Sequence, residues 1–179
     1  MTGRAKAAST SQVKSGTRGK TLRLATYTNR SELPEAATVL QQQLEKAGFT
    51  VKQDVREYTQ MEADLLAGKY DALVFSRVTL LDTGDAVSYL ASDYTAKGVY
   101  NIAGLKDPAV DKAIAAAAEE GDTGKRRQKI MAAEAEILRT DAVLPLVHER
   151  VVQGIAAGVE GVLLDPRERS LIDADTHLR

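Results

Sequence analysis

TLRLATYTNRSELPEAATVLQQQLEKAGFTVKQDVREYTQMEADLLAGKYDALVF, residues 21–75, switches repeatedly between two hydrophobic periods, and that switching decides the fold class. Leu22, Leu24 and Thr26 alternate with Arg23, Ala25 and Tyr27, the period of two expected of a strand. The helical period follows. Leu33, Ala36, Ala37, Leu40, Leu44 and Ala47 fall on one stripe, with Ser31 placed as N-cap, Pro34 in the first turn and Gly48 as the stop. Phe49, Val51 and Val55 then share one side of a second strand, with Lys52 and Asp54 opposite. Thr59 and Glu62 have capping-box spacing and open a short helix through Met61, Leu65 and Leu66, which Gly68 ends. Asp71-Ala-Leu-Val-Phe75 is nearly continuously apolar, as expected of a strand covered on both faces. The β-α-β-α-β order predicts an α/β fold with a mostly parallel central sheet flanked by helices.

Downstream the periodicity lapses. Residues 76–107 hold Asp82, Gly84, Asp85, Gly98 and Asn101, with a short helix expected around 86–91. An irregular stretch of this length directly after a strand is where a functional loop belongs. Asp107-Pro108 then reads as an N-cap and N1 proline, with Val110, Ile114, Ala117 and Ala118 as the buried stripe. A second helix, about 123–139, is expected to bury Ile130, Met131, Ile137 and Leu138. Residues 143–152 read as extended chain. Beyond 158 only Val162, Leu163, Leu164, Leu171 and Ile172 are core-forming, so the extended C-terminal tail is expected to pack on something else. The organisation is thus a basic leader over 1–20, a lobe over 21–158 and a tail over 159–179.

The bulk numbers set outer limits. Residues 1–20 hold five basic side chains and no acid, so the rest of the chain carries −6 against an overall −1. Ser, Thr, Gly and Ala separate those charges, and no aromatic residue interleaves them. The leader therefore reads as solvated chain, with no nucleic-acid partner. No apolar run approaches the roughly 18 residues a membrane span needs. The absence of cysteine excludes a disulfide framework and thiolate metal sites.

Candidate chemistry is sparse. His148 falls in the extended stretch, and His177, two residues from the C-terminus, is expected to be mobile. Two separated histidines and no cysteine leave no dedicated zinc site, and no cofactor is expected. No glycine loop of the phosphate-binding type is present. Asp82 and Asp85 flank Gly84 and could serve as an acid/base pair, although Asp85 also suits the N-cap of the next helix. Arg77, directly after the apolar strand, could hold a carboxylate bidentately, or be a surface arginine at a strand end.

The motifs in order resemble the extracytoplasmic solute-binding proteins (family 5) that deliver peptides, nickel chelates and related solutes to ABC importers. Leu22-Arg-Leu-Ala-Thr-Tyr27, Glu32-Leu-Pro34 and Leu40-Gln-Gln-Gln-Leu-Glu-Lys-Ala-Gly48 are similar to the entry into that family's C-terminal lobe. Gly68-Lys-Tyr-Asp71 resembles its G-x-[FY]-D pattern, and Asp82-Thr-Gly-Asp85 its D-x-x-D-P loop, with Ala86 in place of the proline. Asn101-Ile-Ala-Gly104-Leu-Lys-Asp107-Pro108-Ala-Val-Asp111 resembles N-x-x-G-[YF]-x-[ND]-P-x-[VIL]-D. Ile137-Leu-Arg-Thr-Asp-Ala-Val-Leu-Pro145-Leu resembles the helix leading to D-A-P-x-x-P-L, with Val143 for the first proline. Val159-Glu-Gly161 and Asp165-Pro166 match its ending.

The resemblance implies a periplasmic-binding-protein-like lobe, non-catalytic, that closes with a missing N-terminal lobe over a small-molecule or peptide solute. It implies ABC-importer membrane subunits as further partners and an extracytoplasmic location; a free-standing lobe acting in protein interaction, and then cytoplasmic, is the alternative. It implies that Asp82 is set to accept a peptide's terminal ammonium and that Asp85 caps the next helix; Arg77 and Asp85 are kept beside Asp82 as candidate ligand-binding residues. The loop lacks tryptophan, which leaves peptides, nickel chelates and opine-like solutes equally open.

Overall fold

The computed structural model describes residues 19–77, 84–148, 152–163, 165 and 170–179. They fall into two compact units, one ending at Arg77 and one beginning at Val78.

The first unit is built on a parallel sheet. Strand β1 (Thr21–Tyr27) is followed by helix α1 (Glu32–Lys46), strand β2 (Thr50–Arg56), helix α2 (Tyr58–Leu66) and strand β3 (Ala72–Leu73). The sheet order is β2-β1-β3, all parallel, with β1 and β2 in register from Thr21 opposite Thr50 to Tyr27 opposite Arg56. This is the predicted layer. The doubly covered strand, however, is β1 and not 71–75. Leu24, Ala25, Thr26 and Tyr27 are consecutively buried, because β1 is central; β3 is a short edge strand with Ala72 exposed. Pairing continues past the two residues of β3, since the Val74 amide donates to Ala25 O at 2.9 Å and Thr26 Oγ1 to Val74 O at 3.2 Å.

Both expected helix starts are made differently. Ser31 stands at the N-cap of α1 but makes no side-chain cap bond; its backbone is already helical, which turns the hydroxyl away from the amides it would cap. The first turn is favoured instead by Glu32 and Glu35, with Lys46 at the other end, as the helix dipole prefers. In α2 the Thr59–Glu62 box does not form, because the N-cap is Glu57, two residues before Thr59. The amide of Tyr58 is met from outside the helix by Asn29 Oδ1 at 2.8 Å. Leu33 and Ala37 of α1, Val51 of β2, Met61 and Leu65 of α2 and Val74 complete the core around β1.

The second unit packs three helices: α3 (Ala86–Tyr94), α4 (Pro108–Ala118) and α5 (Thr123–Arg139). Its core is Val87, Leu90, Val110, Ile114, Ala117, Ala133 and Ile137, with Ile130 packed against it. Asp107 caps α4 as expected, accepting from the Ala109 amide at 2.8 Å. The buried stripe of α5 differs from expectation. Ile130, Ala133 and Ile137 lie at i, i+3 and i+7, whereas Met131 and Leu138 are each one residue, about 100°, further round and exposed. Residues 143–148 form no strand, and His148 is exposed in irregular chain.

The tail pairs with itself. Strands β4 (Val159–Glu160) and β5 (His177–Leu178) are antiparallel, Val159 opposite Leu178 and Glu160 opposite His177. His177 is therefore held in a ladder, where a mobile end was expected: its Nε2 stands 3.5 Å from Glu160, which also takes Arg179 Nε at 2.9 Å.

Candidate functional site

A parallel sheet delivers the carboxyl ends of all its strands to one edge. In the order β2-β1-β3 the chain turns from β1 to one neighbour and later returns to the other, so the switch point lies between β1 and β3. Ligands of open α/β sheets bind in the crevice outside the strand ends at such a point.

Tyr27, the last residue of β1, organises this edge. Its ring is buried and meets Tyr58 edge-on at 5.3 Å and Phe75 edge-on at 6.1 Å. Its hydroxyl donates to Ser76 O and accepts from the Ser76 amide, each at 3.0 Å. Burial pushes the Tyr27 hydroxyl above its ordinary pKa, while the Ser76 backbone and the charges of Arg30 and Arg77 pull against that rise. The two guanidiniums thus sit within electrostatic reach of the β1–β3 ends, Arg77 itself exposed.

The neighbouring ends of β1 and β2 are clamped by Glu57. It accepts from Thr28 Oγ1 at 3.1 Å and from Asn29 Nδ2 at 2.7 Å, and Asn29 in turn caps α2. Below them Arg56 gathers Asp54, Asp64 and the Tyr70 hydroxyl, and Lys69 joins Asp64 at 2.7 Å. These pairs hold Asp64 below the usual carboxylate range, Lys69 having the largest part.

Of the three expected ligand-binding residues, Arg77 ends the first unit at this strand edge. Asp82 lies outside the described residues. Asp85 opens the second unit as the N-cap of α3, accepting from the Val87 amide at 3.1 Å, and takes Arg126 Nη2 from α5 at 2.8 Å. Arg126, the cap and their charges hold the Asp85 carboxyl low, Arg126 foremost. The helix-capping role read from its position is the one described. Sequence reasoning missed the aromatic set Tyr27, Tyr58 and Phe75. Their signal was available: Tyr27 ends a strand, Tyr58 lies two residues past one, and Phe75 closes an apolar run. Nothing in the sequence marks Arg126, forty-one residues away, as the partner of Asp85.

Among the described residues no three histidine, aspartate or glutamate side chains are placed to hold a metal ion, and no helix is long and apolar enough to cross a membrane.

No family model matches the chain, and no curated protein matches it in sequence. Solved structures do match. A nickel ABC transporter protein from Bacillus halodurans is 27% identical over 68% of this chain and 25% of its own, with a TM-score of 0.60. A dipeptide-binding protein from a Pseudoalteromonas species, in complex with Met-Leu, is 21% identical over 83% and 30%, at 0.70. NikA from Staphylococcus aureus, in complex with Ni(L-His)2, is 20% identical over 90% and 34%, at 0.64. The chain therefore spans a quarter to a third of the length of these neighbours. It shares the fold of part of nickel- and peptide-type solute-binding proteins of ABC transporters, as its motifs imply.

Proposed function

We propose, from the fold this chain shares with nickel- and peptide-type solute-binding proteins of ABC transporters, that it forms one wall of a solute cleft in an importer's binding component and performs no catalysis. The observation that carries this reading is the β1–β3 strand edge, where Tyr27 packs edge-on against Tyr58 and Phe75 and the charge of Arg77, two residues past Phe75, reaches the Tyr27 hydroxyl. A planar guanidinium binds a carboxylate through two parallel hydrogen bonds, a group that peptides and amino-acid chelates of nickel both carry. Asp82 is assigned, by its place in the D-x-x-D loop, to a terminal ammonium. Asp85 caps α3 and pairs with Arg126. The protein is proposed to act on the extracytoplasmic side of the membrane, with the importer's membrane subunits as partners.

A cleft needs a second wall. Leu144, Val147, Val152, Ile172 and Leu178, all C-terminal to α5, are each at least 70% exposed. A second, N-terminal lobe is their proposed cover. The same residues favour the other reading, a free-standing lobe that docks another protein.

Co-expression with the first lobe of a nickel- or dipeptide-binding neighbour tests the proposal. The two are expected to co-purify and, in calorimetry, to bind Met-Leu or nickel–histidine, with Arg77→Met and Asp82→Asn each weakening binding by roughly tenfold or more. Association without solute binding would sink the cleft and leave the interaction module. Failure to associate would remove the receptor reading.

A further inference from the structure

Strand β2 ends the sheet: among the described residues its only strand partner is β1. The Thr50 amide donates to Lys20 O, and Arg56 O accepts from the Thr28 amide, so the even-numbered residues of β2 turn their backbone groups toward β1. Val51, Gln53 and Val55 therefore turn their N–H and C=O groups outward, at every second position along a seven-residue strand.

The side chains of this edge are self-complementary. Laid antiparallel against a copy of itself and centred on Gln53, the strand TVKQDVR sets Val51 opposite Val55, Gln53 opposite Gln53, and Lys52 opposite Asp54 twice. The outward-facing residues fall on the hydrogen-bonded pairs and the charged residues on the closer, non-hydrogen-bonded pairs, giving about six backbone hydrogen bonds and two cross-strand ion pairs. Neighbouring registers are penalised. Centring on Lys52 puts lysine against lysine; centring on Asp54 puts aspartate against aspartate and Lys52 against Arg56. Charges on an edge strand ordinarily discourage pairing. Here they discourage the two registers on either side of the one centred on Gln53. Asp54 already accepts from Arg56 Nε at 3.0 Å and Tyr70 Oη at 2.6 Å, which orients the carboxylate and leaves it lone pairs for a further donor.

We propose that the β2 edge is a self-association surface, through which two copies of this chain pair their sheets antiparallel about Gln53.

The test is the solution mass of the full chain by sedimentation velocity, from low-micromolar to sub-millimolar concentration. A doubling of mass with concentration is expected. Gln53→Pro removes an outward backbone amide and, with the side chain, the bond from Gln53 Nε2 to Gln41 Oε1, so the chain's own sheet keeps its ladder while the central pair of the dimer is lost. Lys52→Glu faces Asp54 with a like charge. Each is expected to abolish the dimer with unchanged far-UV circular dichroism, and Lys52→Glu decides the matter should Gln53→Pro fail to fold. A wild-type chain that stays monomeric, or a dimer that survives Lys52→Glu, overturns the proposal. So does a monomer whose Gln53 amide resists hydrogen exchange, because another segment of the chain would then cover the edge.

Discussion

The hydroxyl of Tyr27 and the backbone of Ser76 exchange two hydrogen bonds, each 3.0 Å long, and so tie the end of the central strand to the end of its neighbour forty-nine residues later. The reciprocal pair fixes where the chain leaves β3, and with it where Arg77 is presented. A phenol buried at the carboxyl edge is thus a structural clamp for the proposed binding residue.

Tyr27→Phe keeps the ring packing and deletes the clamp. Leaving the Ser76 amide and carbonyl without that partner is expected to cost about 1–3 kcal/mol in urea unfolding. The clamp also carries a pH signature. Because burial raises the Tyr27 pKa in the folded state, the unfolded chain ionises first; this stability is present below the ordinary value of 10.0 and is lost as pH rises above it. Burial and the Asp54 carboxylate raise Tyr70 as well, so spectrophotometric titration is expected to show one fewer tyrosine titrating above the ordinary range in the variant than in the wild type.

Asp85 offers the opposite sign. Its folded pKa is lowered, chiefly by Arg126, so its contribution is present above the ordinary 3.8 and disappears as pH falls through the folded value. Asp85→Ala removes a helix cap and is expected to cost about 1 kcal/mol at neutral pH. The gap in melting temperature between wild type and variant should close below pH 3.8. Arg126→Met should move the Asp85 carboxyl back toward 3.8 in an NMR titration while the cap to Val87 persists.

Asp71 is held to about 2 by the Arg23 side chain and, after it, the Arg23 amide, which lie 2.8–3.0 Å away. Arg23→Met is expected to raise that value toward 3.8 with little change in neutral-pH stability, since both side chains stand at the surface. An unchanged Asp71 titration in the variant would refute the assignment.

Leu144→Ser and Ile172→Ser act on residues 72% and 70% exposed, so each is expected to alter unfolding free energy by no more than about 0.5 kcal/mol. Both should weaken co-purification with a first lobe and lower the fluorescence of a dye bound to exposed apolar surface. A large loss of stability would show that the segment is packed within the chain itself.

The elements of the α/β layer were legible because each is announced locally. Period two gives way to period 3.6 and back, Asp107-Pro108 starts a helix, and Gly48 and Gly68, at φ of +98° and +67°, end two others. Errors arose where the deciding partner is remote. Burial of 71–75 was overestimated because an apolar run does not say whether it is central or an edge. Ser31 and the Thr59–Glu62 box were expected to cap from within, whereas Asn29 reaches α2 from the end of β1. Met131 and Leu138 are as apolar as Ile137, and only the position of the facing helices selects which side of α5 is buried.

The sequence by itself determined the order and type of the elements of the first unit, the stops between them, the capping of α4 by Asp107 and the family resemblance, since all depend on residues a few positions apart. Only the tertiary structure decided that β1 is the central strand, that Tyr27, Tyr58 and Phe75 converge at its end, that Arg126 holds Asp85, and that β2 ends the sheet. Those are contacts between residues separated by tens of positions, which no local periodicity encodes.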